Sequence, residues 1–412
     1  MADVVSPVFA EPPPPKRLGT ATEVFGAFLK LGLTSFGGPI AHLGYFRDEF
    51  VVRRRWIDEA GYADLVALCQ FLPGPASSQV GFALGLGRGG ALGALAAWIA
   101  FTLPSAMLLL AFAYGAAVVS GLLGNAVIHG LKLVAVAIVA HAVWGMARTL
   151  TPDRSRAAIG IGALFVVTLA AGAFGQVGAI LLGALAGLLL CRGGAIASAA
   201  HVGSRVTRFA GVVCLATFAG LFVGLPLIAA ATDAQAVALF DSFYRSGALV
   251  FGGGHVVLPL LQAEVVGPGW TNNQVFLAGY GAAQAVPGPL FAFAAYLGTV
   301  VGPEPNGLAG AALALVAVFL PGFLILAGVL PFWDALRGRP LAQAALRGVN
   351  AAVVGILAAA LYDPVWTSTV LTGYDFAVAA AGFMLLALWR LPPWIVVIGI
   401  VVAAVLPALW GG

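Results

Sequence analysis

The sequence predicts an all-α polytopic membrane protein made of two inverted-topology repeats, each with two re-entrant broken-helix hairpins followed by full transmembrane spans. Three observations lead to this prediction. The 412 residues are 61% hydrophobic and only 9% charged, whereas soluble domains are about 25% charged. One sequence pattern occurs twice along the chain. Each copy interrupts its apolar sequence at two points rich in glycine and proline.

The repeat is a set of landmarks that recur in the same order. The offset between the copies is 215 residues as far as Glu49 and 214 residues from Trp56 onward, so one residue is lost between them. The matched pairs are Phe28 with Phe243, Lys30 with Arg245, Gly32 with Gly247, Phe36 with Phe251, Gly37 with Gly252, Gly38 with Gly253, Glu49 with Glu264, Trp56 with Trp270, Gln70 with Gln284, Pro73 with Pro287, Gly74 with Gly288 and Pro75 with Pro289. So dense a match predicts two copies of one structural unit.

Four helix breaks are predicted, two in each copy. The first break is Gly37-Gly38-Pro39, matched by Gly252-Gly253-Gly254, and the second is Pro73-Gly74-Pro75, matched by Pro287-Gly288-Pro289. Glycine is entropically costly in a helix and proline lacks the backbone N–H. Lipid offers no partner for the freed backbone groups, so such breaks occur where protein buries them or water reaches them. Matching breaks in two halves are typical of a transporter binding site.

The order of elements follows from where the apolar runs begin and end. Residues 1–20 predict a disordered cytoplasmic tail, because prolines precede Lys16 and Arg17 and no apolar segment is present. The first repeat is expected at 21–200 and the second at 236–412, with a linker loop and a connecting span at 201–235. The hairpins are expected at 22–50, 57–86, 236–266 and 271–301.

The hairpin pieces are too short to cross a bilayer, since none reaches the roughly 20 apolar residues that a span requires. Longer apolar runs predict full spans at 89–116, 126–147, 157–173, 178–192, 209–231, 306–332, 341–361, 374–389 and 392–410. Gly183 and Gly187 form a small-residue pair on one of these runs, and we interpret them as helix-packing positions.

The basic residues predict that the repeats are inverted. Arg53-Arg54-Arg55 is matched by the uncharged Gly267-Pro268-Gly269, and the Arg-rich segment 148–156 is matched by a segment near Asp363 without Lys or Arg. The loop 117–125, which lacks basic residues, is matched by one that holds Arg337 and Arg339. Cytoplasmic loops are enriched in Lys and Arg. The N-terminus is therefore expected inside and the C-terminus outside.

Charged side chains within the hairpins are candidates for function. Lys30 and Arg245 occupy equivalent positions, and a cation in the membrane is costly unless it serves a purpose. Snorkelling of the side chain to the interface is the alternative. Glu49 and Glu264 are also equivalent, and each could carry a coupling proton or neutralise a nearby arginine.

The breaks themselves predict an anion site. A helix that starts after a break presents free N–H groups and the positive end of its dipole. Ser77 and Ser78 add hydroxyl groups there, unless they only cap the helix. Gln70 and Gln284 could donate to a substrate or satisfy carbonyls that the breaks leave free. The candidate binding set is Lys30, Gly37, Gly38, Gln70, Pro73, Gly74, Pro75, Ser77, Ser78, Arg245, Gly252, Gly253, His255, Gln284, Pro287, Gly288 and Pro289.

The sequence carries no recognisable enzyme motif. H-E-x-x-H, G-x-S-x-G and P-loop patterns are absent, as is an Asp-rich metal motif. We therefore predict no catalytic residue, no metal ligand and no cofactor. A net charge of +4 is small, so nucleic acid is not an expected partner.

Several stretches resemble the chromate transporter family of bacteria. The resemblance is carried by FLKLGLTSFGGPIAHL, by LPGP with Gln70 upstream, and in the second copy by FGGGHVVLPLL and VPGPL. It implies a protein of the bacterial inner membrane that exports chromate, driven by the membrane potential or a proton gradient, and so confers chromate resistance. The implied partners are chromate or a sulfate-like dianion and the lipid bilayer, with a homodimer as a further possibility.

Two other functions remain open from the residues alone. Helix N-termini do not choose between tetrahedral dianions, so a carrier of sulfate or of another oxyanion fits the same pattern. An enzyme or flippase that acts on phosphorylated lipid could also use paired re-entrant hairpins. That class would require clustered acidic and basic residues, and the breaks carry no acidic cluster.

Overall fold

The structure is a computed structural model that describes residues 19–118, 121–170, 172–191 and 206–410. Within these ranges the chain forms helices joined by short loops and contains no β-strand, so the all-α prediction is confirmed. Most of the predicted tail, residues 1–18, lies outside the described ranges, as do residues 201–205 of the predicted linker.

The first copy supplies seven α-helices. They are α1 (Ala21–Thr34), α2 (Gly38–Phe46), which continues into a π-helix (Arg47–Arg53), α3 (Glu59–Phe71), α4 (Ala76–Val118), α5 (Leu122–Leu150), α6 (Arg154–Leu169) and α7 (Ala173–Leu190). A connecting helix, α8 (Arg208–Thr232), follows. Its side chains are mostly exposed, which fits a helix at the periphery of the bundle.

The second copy repeats this order with more interruptions. It contains α9 (Gln235–Ala248), a 3-10 turn (Gly254–Val256), α10 (Val257–Val265), α11 (Asn273–Ala283), a second 3-10 turn (Leu290–Ala292), α12 (Phe293–Val300), α13 (Gly307–Val329), a third 3-10 turn (Leu330–Phe332), α14 (Trp333–Arg337), α15 (Pro340–Ala360), a π-helix (Leu361–Trp366), α16 (Gly373–Ala387) and α17 (Pro393–Trp410).

Helices end at all four predicted breaks. α1 stops at Thr34 and α3 at Phe71, and in the second copy α9 stops at Ala248 and α11 at Ala283. Each break contains a glycine with positive φ, such as Gly74 at +119°. Other residue types rarely adopt this conformation. The local sequence therefore fixes where each helix stops.

The long helix α4 combines two predicted elements. Its backbone leaves helical geometry at Gly89 and Gly90, where φ is −125° and +65°. The part before this kink is the second leg of the predicted hairpin, and the part after it is the predicted span. In the second copy the same point is an open loop between α12 and α13.

The two copies interlock through their last helices. α5 of the first copy packs against α16 and α17 of the second, and α15 of the second copy packs against α6 and α7 of the first. On α7, a Cβ added at Gly187 would lie 2.8 Å from the Cα atom of Gly348 on α15. The packing role predicted for Gly183 and Gly187 is thus present, and each copy completes the core of the other.

Among the described residues, five helices are long and apolar enough to cross a membrane. They are Ala76–Ala116, Leu123–Leu150, Arg208–Thr232, Gly307–Leu336 and Pro340–Trp366. The other predicted spans are shorter: α6 has 16 residues, α7 and α17 have 18, and α16 has 15. At 1.5 Å per residue these helices extend roughly 22–27 Å, less than a hydrocarbon core of about 30 Å.

Candidate functional site

The four breaks meet at one place through two reciprocal hydrogen bonds. The N–H of Gly74 donates to the carbonyl of Val250 over 2.7 Å, and the N–H of Gly288 donates to the carbonyl of Ser35 over 2.8 Å. Gly288 is the counterpart of Gly74, and Val250 is the counterpart of Ser35. Each Pro-Gly-Pro break is therefore bonded to the glycine-rich break of the other copy.

Further contacts hold the breaks against the long helices. The Gln79 amide nitrogen donates to the carbonyls of Pro73 and Gly322, each over 2.9 Å. The Ser105 hydroxyl donates to the carbonyl of Pro287 over 2.5 Å. Ser105 and Gly322 are equivalent, since each follows the Leu-Pro pair inside its helix. Equivalent helix positions therefore support the two Pro-Gly-Pro breaks.

The glycine-rich breaks of the two copies also approach each other. A Cβ added at Gly254 would lie 3.2 Å from Pro39 Cγ. Together with the two hydrogen bonds, this contact places all four breaks in one region between the copies. The predicted convergence of the breaks is present, but the N–H groups of Gly74 and Gly288 are engaged by protein. The backbone donors left for a ligand are those in the first turn of the helices that follow.

The two predicted glutamines lie in different environments. Gln70 is exposed, whereas Gln284 is half-buried and its amide nitrogen has no hydrogen-bond partner. Tyr280 lies one helical turn before Gln284, and its hydroxyl lies 2.7 Å from Nδ1 of His255. Only the second-copy glutamine thus lies near a polar group at the breaks. Tyr280 was not predicted, because its first-copy counterpart is Val66 and the repeat gives no signal there.

The long helices α5 and α15 reach the second glycine-rich break. A Cβ added at Gly252 would lie 3.6 Å from Oδ1 of Asn350 and 3.4 Å from the methyl carbon of Met146. The Asn350 oxygen has no hydrogen-bond partner. Sequence reasoning missed this asparagine, since it lies far along the chain from either break.

The predicted cations form salt bridges with the predicted coupling acids. Lys30 Nζ lies 3.6 Å from Glu49, and the Arg245 guanidinium lies 3.0 Å from Glu264. Both pairs are 19 residues apart, as 49 − 30 and 264 − 245 show. This repeated spacing was the signal that could have revealed them. The same salt bridge is therefore built in both copies.

The surroundings of the two acid–base pairs differ. Glu49 is 6% exposed and also bonds Arg53 over 3.1 Å and Arg54 over 2.6 Å. Arg245 reaches a second acid, Asp241, over 3.0 Å. The first copy thus gathers cations around one carboxylate, and the second gathers carboxylates around one cation.

His42 is a buried polar residue that the sequence did not single out. Its ring is fully buried, with Nε2 3.2 Å from the carbonyl of Ser35 and Nδ1 3.4 Å from the hydroxyl of Ser77. It therefore links the two breaks of the first copy. Across the part of the chain that the structure describes, no group of His, Cys, Asp and Glu residues could hold a metal ion.

The chain matches one known family along most of its length. The sequence pattern of the chromate transporter family fits residues 22–190 and again 237–406. The chain belongs to the chromate transporter family. The two matched blocks correspond to the two copies whose breaks meet at the site.

Three curated relatives are similar over most of their length. A "Chromate transport protein" of Pseudomonas aeruginosa is 33% identical over 85% of this chain and 82% of the relative. A "Probable chromate transport protein" of Synechococcus elongatus is 31% identical over 81% and 82%. A "Chromate transport protein" of Cupriavidus metallidurans is 28% identical over 81% and 80%. No solved structure matches the chain.

The close approach at Gly74 and Gly288 predicts a loss of stability when either gains a side chain. A Cβ at Gly288 would overlap the hydroxyl of Ser105 and lie 3.0 Å from the carbonyl of Phe101. Overpacking of this kind costs about 1–3 kcal/mol. Gly288→Ala and Gly74→Ala should therefore lower the midpoint of thermal unfolding of the purified protein in detergent.

The matched control is Gly269→Ala. Gly269 has a φ of +79° but nothing within 4 Å of an added Cβ, so its variant measures backbone strain alone. A midpoint for Gly288→Ala equal to that of Gly269→Ala would contradict the close packing of the breaks.

Proposed function

We propose that this protein is a secondary active transporter that exports chromate from the cytoplasm and so confers chromate resistance. The observation that carries the proposal is the meeting of four helix breaks between two copies of one repeat. Broken helices that meet at a repeat interface are the usual binding site of secondary transporters. The proposed substrate is taken from the relatives, which are named as chromate transport proteins. Their names favour a carrier over an enzyme.

The charge of chromate supports the proposed direction of transport. Chromate is a dianion, and a bacterial inner membrane is negative on the inside. Moving one charge through 100 mV changes its free energy by about 2.3 kcal/mol, so two charges gain ~4.6 kcal/mol on leaving. The membrane potential alone can therefore drive export, and a proton moved by Glu49 or Glu264 would add to it.

The proposed function is tested with everted membrane vesicles that contain the protein. Export from the cell becomes uptake in these vesicles, so chromate should accumulate in them and not in vesicles without the protein. Sulfate should compete, because a site of neutral donors distinguishes poorly between tetrahedral dianions. Uptake of sulfate without chromate would identify a sulfate carrier, and uptake of neither would contradict an oxyanion transporter.

The proposed orientation places the N-terminus in the cytoplasm of a bacterial inner-membrane protein, with the hairpins re-entrant and the repeats inverted. The support is the reversed arginine pattern of the two copies. In a variant without native cysteines, Pro268→Cys should react with an impermeant maleimide in intact cells. Arg55→Cys should react only after the membrane is opened. Labelling of position 55 in intact cells would refute the inverted arrangement.

The ion pairs of Lys30 and Arg245 form the proposed coupling elements. Protonation of Glu49 or Glu264 would release its cation, which could then attract the dianion in the same region. Lys30→Ala and Arg245→Ala should each reduce chromate uptake by about tenfold or more, equivalent to ~1.4 kcal/mol. Lys30→Arg should lose less because it keeps the charge.

The control for these variants is Arg156→Ala. Arg156 bonds Asp153 at the start of α6, an ion pair remote from the breaks in sequence and not repeated in the second copy. Its variant should transport as the wild type does. Normal uptake by both Lys30→Ala and Arg245→Ala, at normal protein levels, would show that these cations only anchor the helices.

A further inference from the structure

The two copies share a backbone design but differ in the polarity of their buried side chains. The first copy places seven polar residues around its breaks, all between 0% and 4% exposed: Ser35, His42, Ser77, Ser78, Gln79, Thr102 and Ser105. Their counterparts in the second copy are apolar or lack a side chain: Val250, Val257, Phe291, Ala292, Phe293, Phe319 and Gly322. We call the first set the polar cluster. Its composition is a property of one copy and not of the repeat.

The polar cluster is continuous with the breaks. His42 joins Ser77 to the carbonyl of Ser35, which also accepts the N–H of Gly288. Ser105 bonds the break that contains Gly288. Thr102 lies on α4 one turn before Ser105. The cluster therefore surrounds the meeting point of the breaks from the first-copy side.

Three hydroxyl groups of the cluster have no hydrogen-bond partner. They belong to Ser35, Ser78 and Thr102, and each residue is at most 4% exposed. Elsewhere in the chain, helical threonines bond the carbonyl four residues back, as Thr34, Thr168, Thr232 and Thr299 do. An unsatisfied buried hydroxyl is unfavourable. These three groups are therefore available to a polar ligand, and they differ from the other buried unpartnered hydroxyls, those of Ser246 and Thr369, in belonging to the polar cluster.

One more unpartnered donor lies on the same face of α4. The indole nitrogen of Trp98 is buried and unbonded, and Trp98, Thr102 and Ser105 are spaced i, i+4 and i+7. Residues at this spacing share one face of a helix. The Trp98 ring contacts Phe319 at 5.8 Å between centroids, so this face meets the aromatic side chains of the second copy.

The donor chemistry favours an oxyanion over a cation. An indole N–H can only donate, and the first turn of α4 adds backbone N–H groups with the positive end of the helix dipole. The cluster contains no carboxylate to neutralise a buried cation, and its one unpartnered atom that can only accept is Oε1 of Gln79. Lys30 and Arg245 are each held by an acid. A dianion here would accept hydrogen bonds from neutral groups.

We infer that the first copy supplies hydroxyl and indole donors for the transported oxyanion, through Ser35, Ser78, Thr102 and Trp98, while the equivalent positions of the second copy supply an apolar wall. This inference rests on the proposed function and names the residues that determine which oxyanion is bound. It gives different functions to two copies that share one fold. Binding affinity should then depend on hydroxyls of α4 and not on the equivalent positions in the second 3-10 turn and α13.

The test is chromate uptake into everted vesicles by Thr102→Val and Ser78→Ala. Each change removes one donor with little change in volume, so KM for chromate should rise about tenfold while the maximal rate changes less. Thr102→Ser restores the hydroxyl and should return KM towards the wild-type value. The protein level and the midpoint of thermal unfolding are measured for each variant, so that a change in KM is not caused by misfolding.

The matched controls are Thr369→Val and Ser246→Ala. Both residues are at most 1% exposed and have an unpartnered hydroxyl, but neither belongs to the polar cluster. They should keep the wild-type KM. Wild-type KM values for Thr102→Val and Ser78→Ala would overturn the inference while leaving chromate transport intact. A changed Na⁺ dependence at constant chromate KM would assign the hydroxyls to a cation and also overturn it.

A wild-type protein that carries no oxyanion would refute the proposed function itself, and the inference with it. That outcome is seen in the wild-type vesicles before any variant is compared. The two failures are therefore distinct measurements.

Discussion

The structure depends on one constraint, which is that every backbone group of a broken helix needs a partner where lipid provides none. The chain satisfies this constraint with hydrogen bonds between the two copies. Gly74 bonds the second copy and Gly288 bonds the first, so neither Pro-Gly-Pro break is satisfied within its own repeat. A single copy would leave these groups unpaired at its centre. The breaks therefore tie the two halves together at the point where a substrate would bind.

The outer helices also make reciprocal contacts between the two copies. Each copy packs its short final pair, α6 with α7 or α16 with α17, on the long helix of the other copy. The short pairs are less than full span length, and burial against a long partner helix compensates for this. Because both the breaks and the outer helices are reciprocal, the central region is held from two sides by equivalent contacts. A conformational change in one copy can therefore reach the other copy through these equivalent contacts.

The sequence predicted those features that depend on local chemistry. Clustered glycines and prolines end helices at the four breaks, so the breaks and the helix order could be read from the chain, whereas single prolines such as Pro104 and Pro321 lie inside helices. The pairing of Lys30 with Glu49 was not predicted, although its spacing recurs in the second copy, because the contact depends on how α1 packs on the π-helix after α2. The different exposure of Gln284, which is half-buried, and Gln70, which is exposed, has the same cause. Equivalent positions of the two copies contact different neighbours. His42, Tyr280 and Asn350 were missed because no repeat signal marks them.

A symmetric frame and an asymmetric site are compatible in a carrier. When inverted halves exchange conformations, the access path moves from one side of the membrane to the other, and this requires equivalent backbones at the breaks. The proposed substrate is a single small ion, so its side-chain donors do not have to be repeated in both copies. The hydroxyls of Ser78 and Thr102 and the ring of Phe319 illustrate this division. The backbone contacts at the breaks and the salt bridges of Lys30 and Arg245 occur in both copies, whereas the buried hydroxyls around the breaks occur in the first.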